Sequence, residues 1–576
     1  MHIVSAFTIS TSSFLILSRG GVRTATTAQF GQRKVQKHFT SWWYNKFIQT
    51  PFQFPSLGAA IPYYTTMADF FRSNKRKLCT MEENRKPTQH KHVSSNSIPD
   101  AGLKSAKATV KPMVIVISGP TGSGKSDVAA SLCSPKQASH IFQNLFASHC
   151  NSVTSGIDNS HLSWNVADIY CGGHIISADS VQAYKGVNVG ANKPTMDERR
   201  ITPYHLIDIV DSTNQYNAAE WTDDAISVID DLSENTRKIL HDYEYSKEHN
   251  SRVITFPQNL TLPVVVGGTM MYVQWLVNGR PDAPKPSPEV EQKASEIIGE
   301  YQAMGDDMGW IEALKLVSTY GETFQRRTEK LCGRDWYRLR RLMEVALAVQ
   351  DCSTNIYTGE RMGGLSALGY DVRYFFLCPN DRMKHAHILD ERCEQMIARG
   401  LLEETLDLAI SGNLPHGSQA SRSIGYRQVL SYLRRSNPKD NDVTAFENFL
   451  DEFTAATRQY SKKQMQWFRR DKECIFIPVD LSSEITKVQR IEEAAKMIMN
   501  FCTISREDYE MELTRGEFSL SEKTKKLNEK QAKGMRVFLG KRYIYKQGSD
   551  ELKKILQVVD TCTSKINSSN RDLTSP

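Results

Sequence analysis

A glycine-rich stretch that contains one lysine offers the clearest chemistry in this sequence. Residues 119–126 read GPTGSGKS, the G-x-x-x-x-G-K-[ST] pattern of a phosphate-binding loop, and they follow a short apolar run. Glycines let backbone N–H groups turn toward an anion, Lys125 supplies a positive charge, and the Ser126 hydroxyl can ligate Mg²⁺. The pattern predicts a phosphate site, and it leaves open whether the phosphate belongs to a nucleotide.

Two more polar stretches follow apolar runs, as expected where buried strands end. Asp179 follows the run 175–177, and the letters GGT at 267–269 follow the run 263–266. In open α/β sheets ligands lie at the carboxyl ends of strands, so Asp179 can bind Mg²⁺ indirectly or act as a general base, and Thr269 can donate to a phosphate oxygen. A capping aspartate and a helix N-cap threonine are the alternatives. The functional interpretation is favoured because three strand ends converge on one edge.

The elements that must position these residues alternate between β-type and helix-type runs from 111 to about 280. This alternation predicts an α/β fold with a parallel sheet. The predicted strands are Met113–Ser118, His174–Ser177, His205–Ile209, Leu262–Val266, Tyr370–Leu377 and Phe476–Pro478. The polar stretches Ser134–Tyr170 and Ser233–Asn259 are expected to be surface insertions, since long loops add little closure entropy.

Prolines between 281 and 288 mark a change to helix-type periodicity. The predicted helices are Glu289–Tyr301, Trp310–Ser318, Asp335–Ala348, Arg382–Arg399, Leu401–Ser411 and Ala455–Arg470. The predicted regions are a transit peptide (1–68), a polar linker (69–110), the first part of the core (111–282), a helical insertion (283–368), the second part of the core with cationic helices (369–480) and a charged C-terminal extension (481–576). Residues 503–576 show no recognisable core and are expected to form an appended tail.

Composition limits the class of protein. The 576 residues are 40% hydrophobic and 24% charged, with a net charge of +7, which is typical of a soluble globular chain and permits a nucleic-acid partner. None of the 11 cysteines forms a C-x-x-C pair, so neither a zinc site nor a disulfide framework is indicated. The apolar run Phe14–Leu17 is too short to span a bilayer, and no membrane partner is expected.

Residues 1–68 contain no aspartate or glutamate but several arginines, lysines and hydroxyl residues. This composition predicts an organellar transit peptide, and a mitochondrial address is favoured over a plastid one. Met67 is a second possible start, which would give a cytosolic form.

Taken together and in this order, the motifs resemble those of the tRNA dimethylallyltransferase (tRNA isopentenyltransferase) family. The matching stretches are GPTGSGKS at 119–126, IISADSVQAYKGVNVGANKPT at 175–195, PYHLIDIVD at 203–211, YNAAEW at 216–221, VVVGGTMMYVQWLVNG at 264–279, DWYRLRRLMEV at 335–345, SIGYRQVLSYL at 423–433 and ATRQYSKKQMQWFRR at 456–470. The resemblance implies a P-loop NTPase-like core with a helical insertion. It also implies a monomer that transfers a dimethylallyl group from dimethylallyl diphosphate to N6 of adenosine 37 in tRNA.

The resemblance assigns roles to individual residues. Diphosphate and its Mg²⁺ would be held by Gly119, Thr121, Gly122, Ser123, Gly124, Lys125 and Ser126, with Ser126 as the metal ligand. Asp179 would accept the proton of the adenine amine, and Thr269 would contact the diphosphate or the adenosine. Ser180 and Gln182 would hold the flipped-out adenine. The anticodon stem-loop would be bound by Arg338, Arg341, Arg422, Gly425, Tyr426, Arg427, Lys462, Lys463, Gln464, Trp467 and Arg469.

Several features depart from the family or leave alternatives open. Arg334 and Glu291 stand where relatives often have Asn and Arg, and Trp467 and Phe468 also fit an apolar core face. Cys502 and Cys562 stand alone, so the C-terminal zinc finger of many eukaryotic relatives is expected to be absent.

Three other functions remain under consideration. An adenylate dimethylallyltransferase would share the phosphate loop and Asp179 but would not need the insertion or the cationic helix. A small-molecule P-loop kinase would require ATP and an arginine-rich lid. A non-catalytic RNA-binding protein is disfavoured because Lys125, Ser126 and Asp179 are all present.

Overall fold

The computed structural model divides the chain into two compact units, 1–70 with 519–538 and 71–518 with 539–576. The described residues are 15–18, 21–24, 111–151, 170–249, 259–331, 334–351, 358, 361–434, 443–515, 531, 533–535 and 538–568. In the first unit, strands β1 (Leu15–Ser18) and β2 (Gly21–Thr24) pair antiparallel. The rest of the predicted transit peptide and the 69–110 linker lie outside the described residues. Within the described ranges, no helix has the length and apolar character needed to cross a membrane.

A parallel sheet forms the centre of the second unit. Its strands and those of a small neighbouring ribbon are β3 (Met113–Ser118), β4 (Tyr170–Ser177), β5 (Tyr204–His205), β6 (Asn259–Gly267), β7 (Arg280–Pro281), β8 (Arg361–Met362), β9 (Asp371–Pro379) and β10 (Ile475–Val479). The sheet runs β10-β9-β3-β6-β4-β5 with every pairing parallel, while β7 and β8 pair antiparallel. The predicted α/β fold with a parallel sheet is confirmed, and every side chain of β3 is buried, as a central parallel strand requires.

Sixteen described helices accompany the strands. They are α1 (Lys125–Cys133), α2 (Pro135–Asn151), α3 (Met196–Ile201), α4 (Ala218–His249), α5 (Met270–Asn278), α6 (Pro288–Ala303), α7 (Asp306–Ser318), α8 (Glu322–Thr328), α9 (Trp336–Asp351), α10 (Arg382–Ala398), α11 (Leu401–Ile410), α12 (Tyr426–Leu433), α13 (Val443–Phe468), α14 (Lys487–Thr503), α15 (Arg506–Arg515) and α16 (Asp550–Ser568). Each predicted helix is present, and the one predicted from Ala455 begins earlier, at Val443.

The predicted strand His205–Ile209 is wrong over most of its length, because β5 ends at His205. Leu206 and Asp208 have φ angles of 59° and 60°, in the left-handed region that an extended strand excludes. Asp208 is held in place by Lys193 and Arg199, whose nitrogens lie 2.5 and 2.7 Å from its carboxylate oxygens. The apolar residues that suggested a strand therefore belong to a fixed turn beside the sheet.

The described parts of the two predicted surface insertions are mostly helical and partly buried. In the first stretch α2 places Ile141, Phe142 and Phe146 in the core beside β4. In the second, α4 continues through 233–249 with Ile239 and Leu240 buried against the same core. The polar residues between these anchors lowered the mean hydropathy and obscured the helical period. The remainders, 152–169 and 250–258, lie outside the described residues.

The insertion between β7 and β8 has a hydrophobic core of its own. Helices α6, α7 and α9 pack together through Ala294, Ile298, Ala313, Leu339 and Met343, all at most 2% exposed. The antiparallel pairing of β7 with β8 closes the base of this subdomain. The predicted helical insertion is thus present as a packed unit.

The predicted tail without a core is wrong for the described parts of 503–576. Tyr509 of α15 is buried and its hydroxyl donates to the Tyr374 carbonyl of β9 at 3.1 Å. Helix α16 packs on α11 and α12 through Leu552, Ile555 and Val559. Lysines on the solvent side of these helices produced the tail-like composition, although the apolar spacing in α16 is that of an amphipathic helix.

Candidate active site

The phosphate loop joins β3 to α1 at the carboxyl edge of the sheet. Gly124 has a φ angle of +84° and directly precedes α1, a backbone conformation that favours glycine. The loop therefore turns sharply enough to aim the first N–H groups of α1 at an anion. All seven residues predicted to hold diphosphate, 119 and 121–126, lie in this turn and the start of α1.

One buried glutamine joins the phosphate loop to the loop that follows β6. Gln464 of α13 accepts a hydrogen bond from the Thr121 N–H at 2.9 Å and donates its amide to the Gly268 carbonyl at 2.9 Å. A β-carbon at Gly268 would lie 2.2 Å from the Gln464 amide nitrogen, so the approach requires glycine. These contacts fix the spacing of the two loops.

Thr269 and Asp179 are brought together by the loop after β4. Thr269 is the N-cap residue of α5, as the alternative predicted, but its side chain makes no cap hydrogen bond to the helix, and its Oγ1 instead accepts the Ser180 N–H at 3.0 Å. Asp179 Oδ1 accepts the N–H groups of Val181 and Gln182 at 2.9 and 3.3 Å. Its Oδ2 makes no hydrogen bond within the described part of the chain. The arrangement anchors one carboxylate oxygen and leaves the other for a proton.

Tyr460 of α13 completes this cluster. No role in the site was predicted for it from the sequence. Its hydroxyl interacts electrostatically with the Asp179 carboxylate and lies beside the side chains of Thr269 and Gln464. Burial raises the pKa of Tyr460 well above its usual range, with the Asp179 charge as a second cause. The hydroxyl therefore stays protonated and can donate a hydrogen bond in the site.

Lys125 has its ammonium group turned into the phosphate loop. Its Nζ donates to the carbonyls of Gly119 and Pro120 at 2.9 and 2.8 Å. Burial, followed by the positive charge of Arg392, lowers the pKa of Lys125 to about 7, and Asp179 opposes the shift. The loop thus holds a cation that lacks a full counter-charge, which an incoming anion would supply.

Two residues of α10 that the sequence did not single out face the same loop. His385 Nε2–H donates to the Thr121 carbonyl at 2.9 Å, and burial lowers the pKa of His385 to about 4, so the ring is neutral. Arg392 interacts electrostatically with Lys125 and Asp179 but makes no hydrogen bond or ion pair with any described residue. Burial lowers its pKa, and it is a partly buried cation without a hydrogen-bond or ion-pair partner among the described residues.

Diphosphate binding should weaken as the pH rises through the pKa of Lys125. Only the protonated amine attracts the anion, so above about pH 7 the dissociation constant of inorganic diphosphate should rise by up to about tenfold per pH unit. Calorimetric titrations from pH 6 to 9 measure this slope. Lys125→Arg, which stays charged throughout, should still bind but lose most of the slope. A flat wild-type profile would contradict the low lysine pKa.

Three residues predicted to contact tRNA are instead buried, and this part of the prediction is corrected. Gln464 bridges the two loops, as described above. Tyr426 is 0% exposed, donates its hydroxyl to Glu404 and accepts the Gly190 N–H at 3.1 Å. Gly425 is buried at the start of α12. All three stabilise the site from inside because their polar groups already have partners in the protein.

Gln182 also uses its side chain within the protein. Its amide oxygen accepts the Ser177 hydroxyl at 2.8 Å, and its amide nitrogen donates to the carbonyls of Ala191 and Asn192 at 3.3 Å. These bonds hold the 188–193 turn beside the sheet. Ser180 lies half-buried next to Asp179, and the predicted contact of both residues with adenine stays a prediction.

The other predicted tRNA contacts lie at least partly at the surface. Arg338 and Arg341 are exposed on α9, where Arg341 lies 3.8 Å from Glu291, one of the residues that depart from the family pattern. Further along the chain, Arg422, Arg427, Lys462 and Lys463 are exposed, and Trp467 and Arg469 are partly buried. Phe468 is buried against Phe376, so its alternative as a core residue is confirmed.

The donors at the phosphate loop suit Mg²⁺ held jointly with phosphate. The Ser126 side chain is exposed at the first turn of α1 and makes no hydrogen bond within the described residues. Magnesium commonly takes one or two protein oxygens and completes its shell with phosphate and water, so one free hydroxyl fits such an ion. Among the described residues, no cluster of three or more His, Cys, Asp or Glu side chains could hold a metal alone.

The sequence matches that of a known protein family. The model of the family described as IPP transferase matches residues 182–241 and 240–471. The chain is also 31% identical over 401 residues to tRNA dimethylallyltransferase 9 of Arabidopsis thaliana, a match that covers 65% of this chain and 72% of the relative. The chain belongs to the IPP transferase family. Within this IPP transferase the matched residues include Thr269, the insertion and Gln464.

Other relatives of this IPP transferase are more distant. A tRNA dimethylallyltransferase of Protochlamydia amoebophila is 27% identical over 381 residues, covering 64% of this chain and 85% of the relative. A solved structure described as a eukaryotic dimethylallyltransferase acting on tRNA is 19% identical, with a TM-score of 0.43, and covers 79% of this chain and 99% of that one.

Proposed function

We propose that this chain transfers a dimethylallyl group from dimethylallyl diphosphate to N6 of adenosine 37 in tRNA and releases diphosphate. The relatives named above carry the corresponding activity in their names. The observation that carries the proposal is the double hydrogen bond of Gln464, which joins the phosphate loop to the loop of Thr269. It sets an anion site with a partly buried lysine beside a carboxylate whose Oδ2 has no partner among the described residues.

The proposed reaction is a displacement at the allylic carbon of the donor. The N6 nitrogen forms a bond to that carbon while the carbon–oxygen bond to diphosphate breaks, and Asp179 Oδ2 takes the proton that N6 loses. Lys125, Arg392 and the loop N–H groups neutralise the charge that grows on the departing diphosphate. Mg²⁺, held by Ser126 when bound, would add further charge stabilisation on the diphosphate oxygens.

The RNA side of the proposal rests on a cavity and a row of cations. A cavity of about 470 Å³ lies between α5 and α13, and its lining includes Gln274, Asn278, Trp467 and Arg470. Aromatic and amide side chains beside cations suit unstacked bases and their phosphates. Lys462 and Lys463 are exposed on α13, and Lys463 lies about one helical turn before Trp467. We assign this surface to the anticodon stem-loop.

Lys463→Ala should weaken tRNA binding and flatten its dependence on salt while the affinity for diphosphate stays unchanged. Removing one phosphate contact reduces the slope of log affinity against log salt by about 1. Filter binding of tRNA at several salt concentrations measures both quantities. Lys496→Ala, at an exposed position of α14, is the matched control and should behave as wild type. A loss of diphosphate affinity in Lys463→Ala would contradict this placement of α13.

One assay tests the function as a whole. Purified protein receives labelled dimethylallyl diphosphate together with bulk tRNA, AMP or ATP. Label should enter tRNA, and mapping should place it on adenosine 37. Label on AMP instead would indicate an adenylate dimethylallyltransferase. Consumption of ATP with the donor untouched would indicate a kinase, and either result would overturn the proposal.

We further propose that the protein acts as a monomer, which the family resemblance implies, and in mitochondria, based on the acid-free composition of residues 1–68. Light scattering on the purified chain tests the first statement. A reporter fused after residue 68 tests the second, and a diffuse signal with Met1 present would contradict it.

A further inference from the structure

Residues 539–568, called the C-terminal strap below, pack against the helices that carry the site. The central contact is Glu394 of α10, which is 0% exposed. Its carboxylate accepts the backbone N–H groups of Tyr543, Ile544 and Tyr545 at distances between 2.6 and 3.1 Å. Three N–H groups around one buried carboxylate form charge-assisted hydrogen bonds that fix both segments relative to each other.

Further contacts anchor the strap on both sides of its hydrogen bonds to Glu394. The Arg542 guanidinium lies 2.7 Å from the Asp451 carboxylate of α13, and the Tyr545 ring packs edge-on against Phe446, with centroids 5.3 Å apart. Helix α16 then buries four side chains at helical spacing beside α11 and α12, namely Leu552, Ile555, Val559 and Cys562. The strap is therefore an integrated layer of the second unit.

The opposite side of α10 faces the phosphate loop. His385 donates to the Thr121 carbonyl, and Arg392 interacts with Lys125. Residues 385 and 392 are seven apart and so share one face of a helix. Residue 394 lies about 200° around the axis from residue 392, since successive residues are about 100° apart. Helix α10 is thus held between the loop on one face and the strap on the other.

We propose that the C-terminal strap positions the diphosphate site, with Glu394 as the positioning residue that sets α10 against the phosphate loop. Without the three strap N–H groups, the Glu394 carboxylate would be a buried and unpaired charge. Helix α10 would then rotate or shift to bring that charge to water. Because the helix is rigid, the same movement would carry Arg392 and His385 away from the loop. The inference rests on the proposed function only for the identity of the anion.

Glu394→Gln in the full chain tests this proposal. The amide keeps the shape but loses the charge and one acceptor oxygen. We expect the affinity for inorganic diphosphate to fall by about tenfold to a hundredfold, the scale of a misplaced site residue. The onset of the pH slope set by Lys125 should also move to higher pH, because a displaced Arg392 no longer lowers that pKa. Affinity for tRNA should change less than affinity for diphosphate.

Matched variants separate positioning from folding. Glu391→Gln makes the same chemical change on the same helix. The Glu391 carboxylate accepts a hydrogen bond from the Gln395 amide at 3.3 Å and none from the described N–H groups of the strap, so this variant should behave as wild type. Arg542→Ala loosens the strap at a more exposed contact and should show a weaker form of the Glu394→Gln effect. This second variant keeps the test decisive if Glu394→Gln does not fold.

Hydrogen exchange measured without ligand tests the strap proposal independently of the proposed function. In Arg542→Ala and Glu394→Gln, amides of the phosphate loop should exchange faster along with those of the strap. This result would support the strap even if the wild type bound no diphosphate. Faster exchange in the strap, with the phosphate loop and diphosphate affinity unchanged, would show that the strap only adds stability and would overturn the proposal.

Discussion

Asp179→Ala should lower turnover by about two orders of magnitude or more, the scale expected for loss of a general base. The physical reason is the asymmetry of this carboxylate. Oδ1 is occupied by two backbone N–H groups, whereas Oδ2 has no partner among the described residues. Removing the side chain leaves the adenine amine without an acceptor for its proton. Single-turnover transfer to tRNA, with donor and tRNA affinities measured separately, checks the prediction.

The controls for this variant use the same segment of the chain. Asp197→Ala removes an exposed carboxylate of α3 that pairs with Arg200, and it should leave turnover unchanged. Asp179→Asn keeps the accepting oxygen at the turn, so it should fold normally and still be slow. Full turnover in Asp179→Asn would show that a neutral side chain suffices and would exclude proton transfer to this residue.

Arg392→Gln should reduce kcat/KM for the prenyl donor by about a hundredfold to a thousandfold, the cost of removing one pre-oriented charge from a developing anion. Arg392 has no ion-pair partner of its own among the described residues, so no other interaction offsets the loss. Steady-state kinetics with varied donor concentration measure the effect. Affinity for tRNA should remain near that of wild type.

A second measurement on Arg392→Gln distinguishes an electrostatic role from a structural one. Arg392 lowers the pKa of Lys125, so its removal should shift the pH dependence of diphosphate binding to higher pH. Lys384→Gln removes an exposed positive charge from the same helix and should leave both the kinetics and the pH profile unchanged. An unshifted profile in Arg392→Gln would mean that the two cations do not interact.

Local patterns predicted the parts of the site that the chain makes from consecutive residues. The phosphate loop needs glycines, a lysine and a serine at fixed spacing, and its conformation follows from that spacing. Asp179 and Thr269 were predictable because parallel strands end at the same edge of a sheet. Both residues lie in the cluster formed by the loops that follow β4 and β6. Strand β5 was overpredicted, since apolar residues alone do not reveal the left-handed turn at Leu206.

Contacts between distant residues were beyond such patterns. In the sequence Gln464 is one polar residue among the cations of a helix. In the structure it is buried and accepts a hydrogen bond from Thr121, 343 positions away. His385 reaches the same residue across 264 positions. Nothing near either residue in the sequence signals these partners. Burial depends on which helix packs on which loop, so the prediction of Gln464 as an RNA contact was wrong.

By itself, the sequence determined the parallel α/β core, the phosphate loop and the two residues at neighbouring strand ends. These features depend on short-range spacing, which the chain fixes before it folds. Only the tertiary structure decided that Arg392 and His385 face the loop, that Gln464 and Tyr426 are buried, and that residues 539–568 pack behind α10. Those assignments depend on contacts between residues far apart in the chain, and such contacts produce no periodic pattern in the sequence.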